Sequence, residues 1–217
     1  MAVTVKVADV DREVQNLVAS LNFFVDFKLP EISRILGADY DPSNFPGAIY
    51  RKRDGYTFLL FRNGKSVLAG VKSFDQMHNA INKFKEEAKE KLDITITKVD
   101  IEIQNLVLSL DLHVEINLEH FVHEVYDSYY SPELFPGLTF KIYDPPATFL
   151  IFSSGKCVLV GLKRIEDVDK AISKLCETLN GCGAIRGIRK DKSEKGKDKP
   201  EKSKDKPAKS KGKSDKK

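Results

Sequence analysis

Histidines, cysteines and paired carboxylates are the usual carriers of chemistry, and all are thinly placed in this chain of 217 residues. His120 and His123 stand three apart on an expected helix and could meet at a metal, but no matching ligand set accompanies them. Cys157, Cys176 and Cys182 are odd in number and form no CxxC pair, which suits a reduced, intracellular compartment. No phosphate-binding glycine loop, triad or carboxylate pair stands out, so no catalytic residue, metal or cofactor is expected. What recurs is of another kind. Phe45, Phe61, Phe135 and Phe152 each lie beside a turn, and Asn16 and Asn105 each follow a glutamine inside an apolar run. Rings and carboxamides stack and hydrogen-bond; they do not by themselves break bonds.

These residues sit in two copies of one pattern. "VQNLVASL" (14–21) returns as "IQNLVLSL" (103–110), and "LLFRNGKSVLAG" (59–70) returns as "LIFSSGKCVLVG" (150–161). The offsets drift from 89 to 91, the mark of short loop insertions in the second copy. Two copies of about 90 residues are too few and too long for a solenoid, and a duplicated α/β unit related by a pseudo-twofold axis fits better. Each copy reads as strand, helix, several strands, helix. "EVQNLVASLNF" has a strand's alternation, and "LPEISRIL" has Pro30 at a helix start and Gly37 to end it. Asp54-Gly55 and Asn63-Gly64 mark hairpins, so neighbouring strands are antiparallel. Ser73 is an expected N-cap for a helix with Met77, Ile81 and Phe84 on one face, matched by Val168, Ile172 and Leu175.

Strand parity then raises a question. Phe58 and Leu60 face opposite to Leu59 and Phe61, and Phe149 and Ile151 opposite to Leu150 and Phe152. Val67 and Ala69, like Val158 and Val160, continue the second of these faces, while Cys157 falls on the first and reads as core. Both sheet faces are apolar, yet the helices suffice to cover one. An uncovered apolar face marks an interface.

The ordered motifs QN-[LI]-V, then F-P-G before a strand, then [LI]-F-x-x-G-K-x-V and a glycine, resemble the TATA-box-binding protein family. The resemblance runs over about residues 10–182 and occurs in both halves. It implies an α+β fold in which two pseudo-twofold-related repeats form a saddle. One curved antiparallel sheet has a concave DNA-binding face, and helices lie on the convex side. The repeats are expected at residues 1–95 and 96–186, with a disordered lysine-rich tail over 187–217. The function implied is a general transcription initiation factor, not an enzyme, that binds and bends A·T-rich promoter DNA through the minor groove. This family is itself a standard illustration of that behaviour. The wedges between base steps would be Phe45, Phe61, Phe135 and Phe152. Asn16 and Asn105 would reach base-edge acceptors near the dyad. Val18, Val107, Leu59, Leu150, Val67 and Val158 would lie on sugars and base edges, disfavouring a guanine amino group that finds no acceptor. Ala69 and Val160 stand where the family usually has threonine, so the sequence preference is expected to be looser or different. Arg51, Lys65, Lys72, Lys141, Lys156 and Lys163 fall at expected phosphate contacts. Glu133 and Leu134 match the loop that meets a transcription factor IIB-like protein, with Ser131 where an acidic residue is usual; other basal machinery is an expected partner as well.

Charge is divided unevenly. Residues 187–217 carry 14 Lys or Arg against 6 Asp or Glu, a net of +8, while residues 1–186 carry a net of −4. The tail has no aromatic or branched aliphatic residue beyond Ile188, so disorder is expected, together with non-specific attraction to DNA. No apolar run approaches a membrane span, and no membrane partner is expected. The location expected is the nucleus in a eukaryote, or otherwise the cytoplasm, nucleoid or virus factory. Two other readings stay open: an apolar-sheet protein that self-associates without DNA, and a DNA-repair module sharing the half-saddle fold.

Overall fold

The computed structural model describes residues 3–189. After a single 3-10 turn at Val7–Asp9, the first repeat runs β1 (Asp11–Asn22), α1 (Leu29–Leu36), β2 (Ala48–Arg51), β3 (Thr57–Leu60), β4 (Lys65–Val71) and α2 (Phe74–Leu92). The second repeat runs β5 (Asp100–Asp111), β6 (Val114–Ile116), α3 (Leu118–Glu124), β7 (Ser128–Tyr129), β8 (Leu138–Tyr143), β9 (Pro146–Ile151), β10 (Lys156–Leu162), α4 (Val168–Cys182) and β11 (Ile185–Ile188). Among the described residues, nine strands form one antiparallel sheet in the order β2-β3-β4-β1-β5-β10-β9-β8-β7. The two long strands β1 and β5 pair at its centre, so the two repeats share one sheet.

Local chemistry sets the helices. Pro30 pre-sets the first turn of α1, and Gly37 ends it at φ 71°, in the left-handed region where a Cβ is disfavoured. Ser73 accepts from the Gln76 N–H at 3.0 Å, satisfying an otherwise orphaned donor at the start of α2. Its Met77, Ala80, Ile81, Phe84 and Ala88 are buried, and Phe84 packs on Phe23, Phe27, Phe58 and Tyr50. In α4, Val168, Ala171, Ile172, Leu175 and Leu179 play the corresponding part. The strands supply the other side of this core, with Leu17, Ala19, Leu21, Leu106, Leu108 and Leu110 between 0% and 3% exposed. All helices therefore lie against one sheet face, as strand parity requires. Burying these side chains contributes about 1.5–3 kcal/mol each before the opposing chain entropy is counted.

Two sets of contacts cross the expected boundaries. Residues 3–10, expected within the first repeat, are bonded to the second. The Val5 N–H donates to Asn180 of α4 at 3.0 Å, the Asn180 amide donates back to the Val5 carbonyl at 2.9 Å, and Arg12 pairs with Asp169. The leader of each long strand packs on a long helix: Ile94, before β5, donates to Ala88 of α2. The tail, moreover, does not begin at 187. Gly187 and Ile188 pair with Glu115 and Val114 of β6, because a free edge there can still complete a ladder. The expected disorder of the remaining tail falls on residues 190–217, outside the described residues.

Candidate nucleic-acid interface

The helix-free face carries two cross-strand rows related by the pseudo-twofold axis. One row reads Asn105–Val18–Ala69–Thr57 and the other Asn16–Val107–Val160–Thr148. Outside them lie Ser20–Val67–Leu59–Ile49 and Ser109–Val158–Leu150–Thr139. These residues are half-buried by their strand neighbours, with no helix over them. The structure thus brings Asn16, Asn105, Val18, Val107, Leu59, Leu150, Val67, Val158, Ala69 and Val160 onto one surface. Sequence reading missed Thr57, Thr148, Ile49, Thr139, Ser20 and Ser109, although the parity that found their neighbours also places them.

At the centre, the backbone fixes both carboxamides. The ladder between β1 and β4 skips Gly70, and that between β5 and β10 skips Gly161. A skipped residue has an N–H with no ladder partner. The Gly70 N–H donates to Asn16 Oδ1 at 3.1 Å and the Gly161 N–H to Asn105 Oδ1 at 3.0 Å. Gly70 and Gly161 adopt φ 91° and 100°, and a Cβ on Gly70 would stand 2.7 Å from the Gly55 carbonyl oxygen. The amide orientation follows, since only the carbonyl oxygen can accept from an N–H. Each Nδ2 is left without a bond among the described residues, and it offers donors.

At each end of the face sits a pair of rings. Phe45 and Phe61 meet edge to face with centroids 5.8 Å apart at 63°, and Phe135 and Phe152 at 5.8 Å and 64°. Phe135 is 43% exposed and the other three are half-buried, whereas Phe58, Phe84 and Phe149 are sealed in the core. The F-P-G glycines make room beneath: a Cβ on Gly47 would come within 2.8 Å of Phe45, and one on Gly137 within 2.6 Å of Phe135.

The six basic residues are all exposed. Arg51 lies 3.8 Å from Asp39, and Lys163 reaches Gln104 at 3.4 Å. Lys65 opposes Asn22, Lys156 opposes Asp111, Lys141 opposes Thr148, and Lys72 directly follows β4. Register also puts carboxylates on this face, which sequence reading missed. Glu102 opposes Ser20, Glu13 opposes Ser109, and Asp11 opposes Asp111. They line two hollows, one of about 630 Å³ beside Phe61 and Lys65, the other of about 230 Å³ beside Lys156. Burial pushes the Asp111 carboxyl up, but hydrogen bonds from the Arg189 guanidinium and the His113 N–H outweigh it and hold the group below the usual carboxylate range.

Glu133 and Leu134 project from the turn before Phe135, with Leu134 82% exposed. In the matching first-repeat turn, Asp41 accepts from Ser43 and Asn44. Among the described residues no group of three metal-ligating side chains occurs, and His120 Nε2 lies 2.8 Å from the Cys182 carbonyl. The three cysteines are unpaired; burial pushes the Cys157 thiol up, and that of Cys176 up to about 11. No helix of the described residues is long and apolar enough to cross a membrane.

A family model described as "Transcription factor TFIID (or TATA-binding protein, TBP)" matches residues 11–90 and 100–182. A TATA-box-binding protein of Methanopyrus kandleri is 36% identical over 179 residues, covering 79% of this chain and 97% of that protein. That of Aeropyrum pernix is 39% identical over 180 residues, covering 81% and 88%. The solved Methanococcus jannaschii TBP superposes with a TM-score of 0.75 at 36% identity, covering 79% of this chain and 99% of that one.

Proposed function

The chain belongs to the TATA-binding protein family and is a DNA-binding transcription factor rather than an enzyme; from that premise we propose that it bends A·T-rich promoter duplex through the minor groove. The observation that carries this reading is the pair of pinned carboxamides, Asn16 and Asn105, flanked at both ends of one uncovered sheet face by phenylalanine pairs that lie outside the core. The outward amide donors match adenine N3 and thymine O2, the acceptors that every A·T pair presents in the minor groove. The valine and leucine rows offer no acceptor to a guanine amino group, so G·C pairs lose a hydrogen bond on burial. Rings at the ends replace base stacking as the steps open, and the bend lays more duplex on the sheet; this family is itself the standard example of such binding. Lys65 and Lys156, which open β4 and β10 just after the turns beside Phe61 and Phe152, would meet phosphates.

The exposed turn at Glu133 and Leu134 supports a transcription factor IIB-like partner, with Ser131 weakening its acidic character. Relatives from archaea make a location in the cytoplasm or nucleoid the consistent one. A second copy of the chain is the rival occupant of the apolar face when DNA is absent. The test is a mobility-shift and bending assay on A·T-rich against G·C-rich duplexes. Slower-migrating, position-dependent complexes on A·T-rich duplex alone are expected. Equal affinity without bending, or a dimer that DNA fails to dissociate, would overturn the reading.

A further inference from the structure

Duplication lets each position on the helix-free face be compared with its counterpart in the other half. The central rows read Asn105–Val18–Ala69–Thr57 and Asn16–Val107–Val160–Thr148, so they differ in residue type at one place, Ala69 against Val160. The outer rows match at Ser20 and Ser109, Val67 and Val158, and Leu59 and Leu150, and differ only at the far edge, Ile49 against Thr139. Ala69 and Val160 are both half-buried, with no helix over them. Val160 fills its place in the row with γ-methyl groups. Ala69 stops at Cβ and leaves that space open beside Thr57, its direct partner in register. Residues directly opposite in antiparallel strands have Cβ atoms about 4.5–5.5 Å apart, so the Thr57 side chain borders the gap. The Thr57 hydroxyl makes no hydrogen bond among the described residues.

In the minor groove a G·C pair differs from an A·T pair by the guanine amino group, a donor rising from the groove floor. Against Val160 that donor meets methyl groups, finds no acceptor and loses its hydrogen bond to water. Against Ala69 it has room, and a threonine oxygen beside it that can accept. We propose that the first-repeat half of the face admits one G·C pair, with Ala69 making the room and Thr57 Oγ1 accepting from the guanine amino group, while Val160 excludes the same pair from the second-repeat half. The proposal rests on the minor-groove reading above. Its place along the duplex follows from the sheet, because β4 lies one and a half strand spacings from the axis between β1 and β5. That is about 7 Å, or about two base pairs from the centre of the site. A site with one G·C pair there is bound in a single orientation, with the first repeat over the G·C half.

The experiment uses the full chain and palindromic A·T-rich duplexes carrying one G·C pair, or two at symmetric positions, placed one, two or three pairs from the centre in turn. Inosine in place of guanine removes only the amino group, so the ratio of inosine to guanine affinity isolates that group and is insensitive to a variant's overall loss of binding. At one of these positions the wild-type ratio should stay near unity for one G·C pair and rise to roughly tenfold or more for two, because the second must lie under Val160. Ala69→Val and Thr57→Val should each raise the one-pair ratio to roughly that level. Val160→Ala should bring the two-pair ratio back toward unity, and Thr57→Ser, which keeps the oxygen, should behave as the wild type does. A cleavage reagent tethered at Asn63→Cys, in a Cys182→Ser background, should cut on the G·C side of a one-pair duplex. An equal cost for the first and second G·C pair at all three positions overturns the proposal. So does an unchanged one-pair ratio in Ala69→Val or Thr57→Val, or cutting on the side without G·C. Equal binding of inosine and guanine duplexes by every variant, or no complex on A·T-rich duplex at all, overturns the minor-groove reading itself, and this inference with it.

Discussion

At the scale of single residues, surface rings and core rings of the same type predict opposite phenotypes. Phe152→Ala or Phe61→Ala removes a ring that packs chiefly on one partner ring, so stability should fall by only about 0.5–1.5 kcal/mol while affinity and bending drop together. Phe84→Ala should instead cost about 3–5 kcal/mol, because that ring is sealed among four aromatic neighbours. Urea denaturation beside a bending assay separates the two. A comparable stability loss in all three variants would place Phe61 and Phe152 in the core. The asparagines admit a finer test. Asn16→Asp keeps the acceptor for the Gly70 N–H but replaces the outward donor with charge, so folding should survive and A·T-site affinity should fall at least roughly tenfold. Asn16→Leu leaves that N–H unpaired and should in addition lose about 1–3 kcal/mol of stability. Retained affinity in the aspartate variant would show that the amide donor is not used.

At the scale of elements, the turn carrying Glu133 and the end of β5 carrying Asp111 make separable predictions. Glu133→Arg should impair recruitment of a factor IIB-like protein to the DNA complex while leaving DNA affinity unchanged, since the side chain is exposed on a turn outside the sheet rows. Equal loss of both activities in a supershift assay would mean the turn acts through DNA or folding. Asp111 links β5 to β11 through Arg189. Its folded carboxyl lies below its ordinary value, about 3.9 in the unfolded chain, so its stabilisation is present above that value and is lost as pH falls through the folded one. Asp111→Asn should therefore be less stable near neutrality, with the deficit closing in acid. Thermal melts from neutral pH down to about pH 2 would check this; a constant deficit would assign the loss to packing.

At the scale of the whole molecule, one nine-stranded sheet runs through both repeats. β1 and β5 form its central ladder, and the leader before β1 is held by Asn180 and Asp169 of the other repeat. Cutting between residues 95 and 96 should yield halves that do not fold separately, because each would expose a long apolar strand edge and half a core. Equilibrium denaturation of the intact chain should give one transition, coincident by tyrosine fluorescence and circular dichroism. Two resolved transitions would show that the repeats unfold as separate units.

The sequence by itself determined the duplication, the element order and the uncovered face. Alternation in "TFLLF" and "TFLIF" assigns each side chain to a face by backbone geometry alone, wherever the strand lies. Ser73, Pro30 and Gly37 set helix ends by equally local chemistry. The resemblance singled out the candidate rings; Phe45 meets Phe61 and Phe135 meets Phe152, though a spacing of about 16 residues says nothing of a 5.8 Å contact. What only the tertiary structure decided was whatever depends on register between distant strands. Glu13 and Glu102 reach the face because β1 and β5 pair in one particular offset, and a slip of one residue would turn them away. The skipped glycines free an N–H for Asn16 and Asn105 only when the facing strands are in place. The clasp of Arg189 on Asp111 joins residues 78 apart. Local propensity carries no information about such distant pairings, because their energy exists only once the sheet has closed.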